Sequence, residues 1–145
     1  MLFFSILFIS ICDQLIKVII SKNLYITQSI PVINNFFRLT YIHNRGAGFG
    51  ILAGYKNLFI LLSIIIIVLL LIYRNNCIKN NFSDLAIGLI IGGALGNLVD
   101  RIRLGYVIDY LDFRIWPVFN LADTAIVTGT FLFIIYYWGV EKDNG

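Results

Sequence analysis

The sequence predicts an all-α membrane protein of four transmembrane helices, on three observations. The 145-residue chain is 59% hydrophobic and 13% charged, whereas a soluble domain averages about 45–50% apolar and about 25% charged residues. Its mean hydropathy is +0.88. Four apolar runs each come near the ~20 residues that a helix needs to cross a bilayer. They predict helices over residues 2–20, 57–73, 84–102 and 121–140 of a single domain, residues 1–145.

The first apolar run is predicted to be a retained helix and not a cleaved signal peptide. No basic segment precedes the run, and its "CDQLIK" is not a small-residue cleavage site. Asp13 and Lys17 are four residues apart, so they share one face of the helix. They form either a mutually neutralised pair inside the bundle or part of a polar site near one membrane surface.

The three connections between the apolar runs differ in character. Residues 21–57 include "FRLTY", where large apolar side chains alternate with others, and this predicts a small strand-rich element on the membrane surface. Residues 74–84 are short, polar and rich in asparagine, which is typical of a simple turn. Residues 101–119 hold aromatic side chains among their charges, which suits a position at the lipid headgroups.

A glycine stripe and a polar cluster mark the third predicted helix. Glycine recurs every fourth residue from Gly88 to Gly96, and such a stripe lets another helix backbone approach closely. Asn97, Asp100 and Arg101 follow on one face. We interpret them as a hydrogen-bonded cluster in which Asp100 is ionised and structural.

Two carboxylates lie near the start of the fourth predicted helix. Helix capping explains Asn120 as the N-cap and Asp123 three residues later. Capping does not explain Asp109, which sits in the apolar "GYVIDYLDF" on the same side of the membrane. Two carboxylates a few ångströms apart cannot both ionise, so the pair holds one proton, as in aspartic proteases. This pattern indicates hydrolysis without a nucleophilic side chain.

The residues alone leave the members of this pair open. Asp100 with Asp123 fits the pattern as well as Asp109 with Asp123 does. His43 is the only histidine, and we interpret it as a packing or hydrogen-bonding residue. The full set of candidate carboxylates is Asp13, Asp100, Asp109, Asp112 and Asp123.

The sequence predicts no cofactor, no metal site and no nucleic-acid partner. It has no Cys/His cluster with metal-ligand spacing, and Cys12 and Cys77 lie in different segments, as two inert thiols. The basic residues are scattered between apolar runs and form no stripe, which argues against nucleic-acid binding.

Five motifs resemble those of the lipoprotein signal peptidase family, also called signal peptidase II. They are "DQLIK", "NRGAGFGIL", "GGALGNLVDR", "YVIDYLDF" and "FNLADTAI", in the family's order from the first helix to the last. Each motif alone is weak, whereas all five in order on a four-helix chain are specific. The chain departs from the family in having Gly48 where alanine is usual, "VID" for "VVD", and a shorter segment from Asp109 to Asp123.

The resemblance implies an intramembrane aspartic endopeptidase. Such enzymes cut signal peptides from diacylglyceryl-modified bacterial prolipoproteins, on the amino side of the lipidated cysteine. The family's catalytic aspartates fall on Asp109, in the loop before the fourth helix, and on Asp123. The implied fold is four transmembrane helices with a small β-rich cradle and a short surface helix on the outer face. The substrate-binding or supporting positions fall on Asp13, Lys17, Asn44, Arg45, Asn97, Asp100, Arg101 and Asn120.

The resemblance also implies a multi-pass protein of the bacterial inner membrane, with both termini cytoplasmic and the active site near the outer face. The expected partners are lipid-modified prolipoproteins and membrane lipid, and a monomer is expected. The positive-inside rule points the other way, because the two long connections hold seven basic residues, against three in the short connection and the C-terminal tail. We follow the family, since Arg45 and Arg101 lie in site motifs where chemistry can retain them.

Two functions from other classes compete with hydrolysis. A proton relay or small transporter would use buried aspartate and arginine. The polar residues, however, cluster at one membrane face, and the second helix has no charge from Leu58 to Tyr73. A structural subunit would bind a partner helix along the glycine stripe, which leaves the carboxylates unexplained.

Overall fold

The computed structural model describes residues 1–46, 52–76 and 80–143. Within them the chain forms four long helices, as predicted, and each contains a stretch long and apolar enough to span a membrane. The helices are α1, Leu2–Asn23; α2, Lys56–Asn76; α3, Asn81–Arg103; and α4, Leu121–Asp143.

Helix α3 begins before its predicted start because a capping box extends it. The Asn80 side chain accepts a hydrogen bond from the backbone N–H of Ser83 at 2.7 Å. In return, the backbone N–H of Asn80 donates to the Ser83 hydroxyl at 3.4 Å. The box satisfies two N–H groups that have no partner inside a helix, so residues that the sequence assigns to a polar turn continue the helix.

Helix α3 is the centre of the bundle. Of its apolar stretch, 67% is buried, against 0% for α2. Large apolar side chains on the other three helices are exposed, among them Phe3, Leu69 and Phe131. Apolar surface on this scale marks contact with lipid or a partner, so α1, α2 and α4 present the lipid-facing surface.

The glycines of α3 let α1 and α4 approach it closely, which confirms the packing prediction. A Cβ on Gly92 would lie 3.0 Å from the carbonyl oxygen of Ile6 on α1. On the neighbouring face, a Cβ on Gly93 would collide with the carbonyl oxygen of Ala122 on α4. Backbone contact of this kind fixes where the first turn of α4 sits against α3.

An antiparallel sheet of order β1–β2–β3 joins the first and third connections. Strands β1, Ser29–Ile33, and β2, Phe37–Asn44, form the strand-rich element that the sequence predicts in the first connection. Strand β3, Val107–Asp112, corrects the sequence interpretation, since Asp109 lies on a strand and not on a loop. Asp109 pairs with Ile42 of β2, a partner that local sequence cannot indicate.

The sheet rests on the C-terminal end of α1. Among the described residues no separate short surface helix occurs, and residues 47–51 of the same connection, including Gly48, lie outside them, as does Cys77. The apolar contact between sheet and helix seats β3, and with it Asp109, over the bundle. It consists of Ile20, Leu24, Tyr41, Ile108 and Tyr110.

Candidate active site

Asp109 is held on β3 by two side-chain amides. Its side chain is buried, with 2% of the residue exposed. Asn44, the last residue of β2, donates through Nδ2 to Oδ2 of Asp109 at 2.8 Å. Asn120 donates through Nδ2 to the other oxygen, Oδ1, at 2.7 Å. Both carboxylate oxygens are therefore oriented by donors from separate elements.

Asp123 serves both as a helix cap and as a member of the polar site. Its backbone N–H donates to Oδ1 of Asn120 at 2.9 Å, and the backbone N–H of Asn120 donates back to Oδ2 of Asp123 at 3.2 Å. This is the reciprocal capping that the sequence predicts. The remaining oxygen, Oδ1, accepts a hydrogen bond from Nδ2 of Asn97 at 2.7 Å. Capping uses one carboxylate oxygen, and the other faces α3.

The two carboxylates line one cavity of about 180 Å³. A chain of amides joins them beside it, because Nδ2 of Asn120 also donates to Oδ1 of Asn97 at 3.1 Å. The sequence did not single out the wall formed by residues 116–119. The lining residues are Asn44, Gly46, Asn97, Arg101, Val107, Asp109, Trp116, Pro117, Val118, Phe119 and Asp123.

Asp100, the rival partner for Asp123, is committed to other contacts. It does not line the cavity. Its Oδ2 accepts the backbone N–H of Ile108 at 3.1 Å, and its Oδ1 accepts Nε2 of Gln14 at 2.9 Å. Asp112 is occupied as well, by the hydroxyl of Thr40 at 2.8 Å. The geometry therefore favours Asp109 as the carboxylate that shares a cavity with Asp123.

Asp13, Lys17 and Asp100 form a buried ionic triad, and each is at most 2% exposed. The Lys17 ammonium lies 2.8 Å from Oδ2 of Asp13 and 2.9 Å from Oδ2 of Asp100. The other oxygen of Asp13 accepts the backbone N–H of Ala122 at 3.0 Å. The triad thus ties α1 to α3 and to the first turn of α4. The Asp13–Lys17 pair is buried in the bundle, and it contacts the turn of α4 that carries Asp123.

The two arginines of the site motifs lie near the carboxylates and not in the triad. Arg101 lines the cavity with both aspartates, and its guanidinium lies over the ring of Phe59, 4.9 Å from its centre. Arg45 lines an adjoining cavity of about 370 Å³ that also reaches Asp109. A positive charge therefore borders each opening.

His43 packs and hydrogen-bonds, in agreement with the interpretation from sequence. Its ring stacks on Tyr106 with centroids 3.7 Å apart, and Nε2 is 2.8 Å from the hydroxyl of Tyr41. Burial, and then the charge of Arg45, lower the pKa of His43. Its imidazole is therefore neutral at neutral pH.

Sequence reasoning missed Gln14, which bridges α1 to α3. Its Nε2 donates to Asp100 and to the carbonyl oxygen of Gly96 at 3.1 Å. The available signal was a neutral polar residue within an apolar helix, directly after Asp13 in the "DQLIK" motif. Gln14 therefore ties α1 to Asp100 of the triad.

The environment of Asp109 favours its protonated form. Loss of water on burial, and then the negative charge of Asp123, raise the pKa of Asp109 to about 7. Hydrogen bonds from Asn44 and Asn120, and the charge of Lys17, oppose the shift. A proton therefore stays on the pair up to neutral pH.

The cavity is lined by two carboxylates, two side-chain amides and a guanidinium. Among the described residues no group of three or more His, Cys, Asp or Glu side chains could hold a metal ion. Two coupled carboxylates that share one proton can take a proton from water and hydrogen-bond to a carbonyl oxygen at the same time. This arrangement suits the hydrolysis of an amide bond.

Comparison with known sequences identifies the family of the chain. A family model described as signal peptidase (SPase) II matches residues 5–139. The lipoprotein signal peptidase of Halothermothrix orenii is 51% identical over 142 residues, which cover 98% of this chain and 98% of that protein. The lipoprotein signal peptidase of Clostridioides difficile is 48% identical over 134 residues, which cover 91% of this chain and 90% of that protein.

Two solved structures share the fold. A bacterial membrane enzyme determined by the in meso method at 2.3 Å resolution has a TM-score of 0.93 and 34% sequence identity, and covers 99% of this chain and 90% of its own. A second, determined at 1.9 Å, has a TM-score of 0.86 and 36% identity, and covers 93% of this chain and 90% of its own.

Proposed function

This chain belongs to the signal peptidase II family of membrane peptidases, which remove signal peptides from prolipoproteins, and from that premise we propose that Asp109 and Asp123 are its catalytic pair. Because the chain belongs to a peptidase family, we do not propose a proton relay or a structural subunit as its function. The observation that carries the residue assignment is the single cavity lined by both carboxylates. The raised pKa of Asp109, to about 7, supports it, because an aspartic pair works with one shared proton.

The reaction follows from the shared proton. The ionised aspartate takes a proton from a water molecule, and the resulting hydroxide oxygen attacks the carbonyl carbon of the scissile peptide. The protonated aspartate donates a hydrogen bond to the carbonyl oxygen and stabilises the charge that develops there. A proton then passes to the leaving nitrogen, the C–N bond breaks, and the pair again holds one proton.

The supporting residues act by holding the pair in place. Asn44, Asn97 and Asn120 donate to three of the four carboxylate oxygens and fix their directions. Arg101 borders both aspartates and offsets part of their charge. The ionic triad of Asp13, Lys17 and Asp100 holds α1, α3 and the first turn of α4 together. Arg45 borders the adjoining cavity, where it can meet a polar part of the substrate.

The proposed substrate carries a diacylglyceryl group on the cysteine that follows the cut. An apolar groove of about 370 Å³ begins at Asp123 and runs along α4, where it can receive an apolar part of such a substrate from the lipid. We propose that the chain acts as a monomer in contact with membrane lipid. The groove is lined by Trp116, Phe119, Asp123, Thr124, Val127 and Thr128.

The proposed orientation has both termini in the cytoplasm of the bacterial cell and the site near the outer face. An even number of spans leaves both ends of the chain on one side. Asp109, Asp123 and the sheet lie toward the opposite side, where α1 and α3 end and α4 begins. A reporter enzyme that works only in the cytoplasm should therefore be active when it is fused after Asp143.

The test of function is cleavage by the purified protein in liposomes. A diacylglyceryl-modified prolipoprotein is expected to be cut on the amino side of the modified cysteine, and mass spectrometry of both products locates the bond. The matched control is the same precursor with serine in place of that cysteine, which cannot carry the thioether lipid. Failure to cleave the modified precursor would overturn the proposal. Equal cleavage of both precursors would contradict only the requirement for the lipid.

Activity is expected to fall as pH rises through about 7. Asp109 holds its proton below its raised pKa of about 7 and loses it above, and two ionised carboxylates leave no donor for the carbonyl oxygen. The measurement is kcat/KM against pH in liposomes, with a basic limb near neutral pH as the expected result. A profile that stays flat to about pH 9 would exclude Asp109 as the proton donor.

A further inference from the structure

The ammonium of Lys17 has a third contact that the ionic triad does not need. Lys17 is 1% exposed in the middle of the bundle. Two of its donors meet Asp13 and Asp100, and the third meets Oδ1 of Asn97 at 3.0 Å. An ammonium has three hydrogens and no acceptor, so its hydrogen-bonding capacity is used in full, and one share goes to the amide that contacts Asp123.

This contact sets the direction of the Asn97 amide. Because Lys17 can only donate, Asn97 turns its oxygen toward Lys17 and its nitrogen toward Oδ1 of Asp123, 2.7 Å away. Nδ2 of Asn120 also donates to the Asn97 oxygen, at 3.1 Å. A flipped amide would set its N–H groups against two donors and its oxygen against a carboxylate, so all three contacts become repulsive.

The other two amides at the pair are anchored differently. The oxygen of Asn44 accepts the backbone N–H of Gly46 at 2.9 Å. The oxygen of Asn120 accepts the backbone N–H of Asp123 at 2.9 Å. Both of these donate to Asp109. Asp123 therefore receives the one amide that a full positive charge polarises, and a hydrogen bond from a polarised donor favours the ionised acceptor.

The remaining charged groups around Asp123 do not produce this asymmetry. Arg101 of α3 acts on Asp109 as well as on Asp123. The phenol of Tyr110 on β3 likewise interacts with the charges of both aspartates. The triad carboxylates, Asp13 on α1 and Asp100 on α3, are each within 2.9 Å of the Lys17 ammonium, which offsets their charge. The charge of Lys17 also acts on Asp109 through space, less than burial, Asp123 and the two amides do, but its hydrogen-bonded route through Asn97 ends on Asp123.

We infer that Lys17 is a positioning residue of the peptidase, which acts through Asn97 to make Asp123 the ionised aspartate and leaves the shared proton on Asp109. This rests on the proposed assignment of the catalytic pair. It gives the two aspartates distinct tasks: Asp123 takes the proton from water, and Asp109 donates to the carbonyl oxygen.

The test is the pH dependence of cleavage by Lys17→Met in liposomes. The variant keeps an unbranched side chain, one atom shorter, and removes the charge and the donor. We expect kcat to fall by about 10- to 100-fold with KM nearly unchanged, and the acid limb of the profile to move up by about one pH unit. The basic limb, which reports Asp109, should move up less, because burial, Asp123 and the two amides influence the pKa of Asp109 more than the charge of Lys17 does.

A second variant keeps the inference testable where two unneutralised carboxylates prevent Lys17→Met from folding. Lys17→Met/Asp13→Asn keeps the net charge of the bundle and an oxygen for the backbone N–H of Ala122. It should show the same upward shift of the acid limb. Asp13→Asn alone retains the Lys17–Asn97 hydrogen bond and should not move that limb upward.

The control for loosened packing is Ser10→Ala. The Ser10 hydroxyl donates to the carbonyl oxygen of Gly92 at 3.0 Å, so its loss weakens the same α1–α3 contact away from the pair. Both limbs should keep their positions in this variant. The inference would be overturned if the Lys17 variants fold and both limbs of their pH profiles match those of the wild type. If Asp123→Asn is inactive in the same assay, the catalytic pair still stands. An active Asp123→Asn variant would instead overturn the pair itself.

Discussion

Asp123→Asn is expected to slow prolipoprotein cleavage by about 10²- to 10⁴-fold, the range typical of removing a general base. Asparagine has the shape of aspartate but a single acceptor oxygen, so it can keep the hydrogen bond from Nδ2 of Asn97 or the one from the backbone N–H of Asn120, and loses the other. It cannot take a proton from water. The variant should therefore fold and bind substrate while its chemistry stops, and single-turnover cleavage in liposomes measures the loss.

The comparison with Asp109→Asn and Asp100→Asn decides which carboxylates form the pair. Asp109→Asn should be as inactive as Asp123→Asn, because no proton donor then faces the carbonyl oxygen. Asp100→Asn removes one partner of the Lys17 ammonium but leaves Asp13 in place, so it should lose stability and retain measurable cleavage. Activity in Asp109→Asn together with none in a folded Asp100→Asn would move the pair to Asp100 and Asp123.

Gly93→Ala is the substitution outside the polar site with the largest expected effect. Its Cβ would collide with the carbonyl oxygen of Ala122 and lie 2.9 Å from Cγ1 of Ile126. Backbone cannot move aside as a flexible side chain can, so α4 must shift away from α3. Overpacking of this kind costs about 1–3 kcal/mol, and the shift carries Asp123, the next residue after Ala122, away from Asn97.

The matched control is Gly88→Ala, on the same helix but against α1 and far from the pair. Its Cβ would lie 2.6 Å from Cβ of Ser5. Thermal unfolding in detergent should show a loss of stability in both variants. Cleavage per folded molecule should fall only in Gly93→Ala. Equal activity per folded molecule in the two variants would show that the pair tolerates displacement of α4.

Much of the fold was predictable because the signals are local. Apolar runs near the length of a bilayer span located the four helices to within about three residues at each end. Glycine at every fourth residue of α3 predicted the close approach of neighbouring helices. The motif "FNLAD" predicted the helix cap formed by Asn120 and Asp123. Each of these features depends on residues within a few positions of one another.

Strand β3 was missed for the opposite reason. Its sequence, "VIDYLD", does not alternate regularly between apolar and polar residues. In the structure, Val107, Ile108, Asp109 and Tyr110 are all buried. Its strand character comes from hydrogen bonds to β2, a segment more than sixty residues earlier in the chain. The same pairing carries Asn44 to Asp109, with a contact of 2.8 Å.

The sequence by itself determined the membrane-spanning architecture, the polar residues that lipid cannot explain and, through five motifs, the family. The residues alone left Asp100 and Asp109 as equal candidates to partner Asp123, and the resemblance to the family favoured Asp109. The tertiary structure gives the physical difference between them. Asp100 is used by Lys17 and Gln14 from α1, whereas β3 turns Asp109 into the cavity. The physical reason is that a carboxylate's role depends on which donors reach it, and those donors come from segments that only folding brings together.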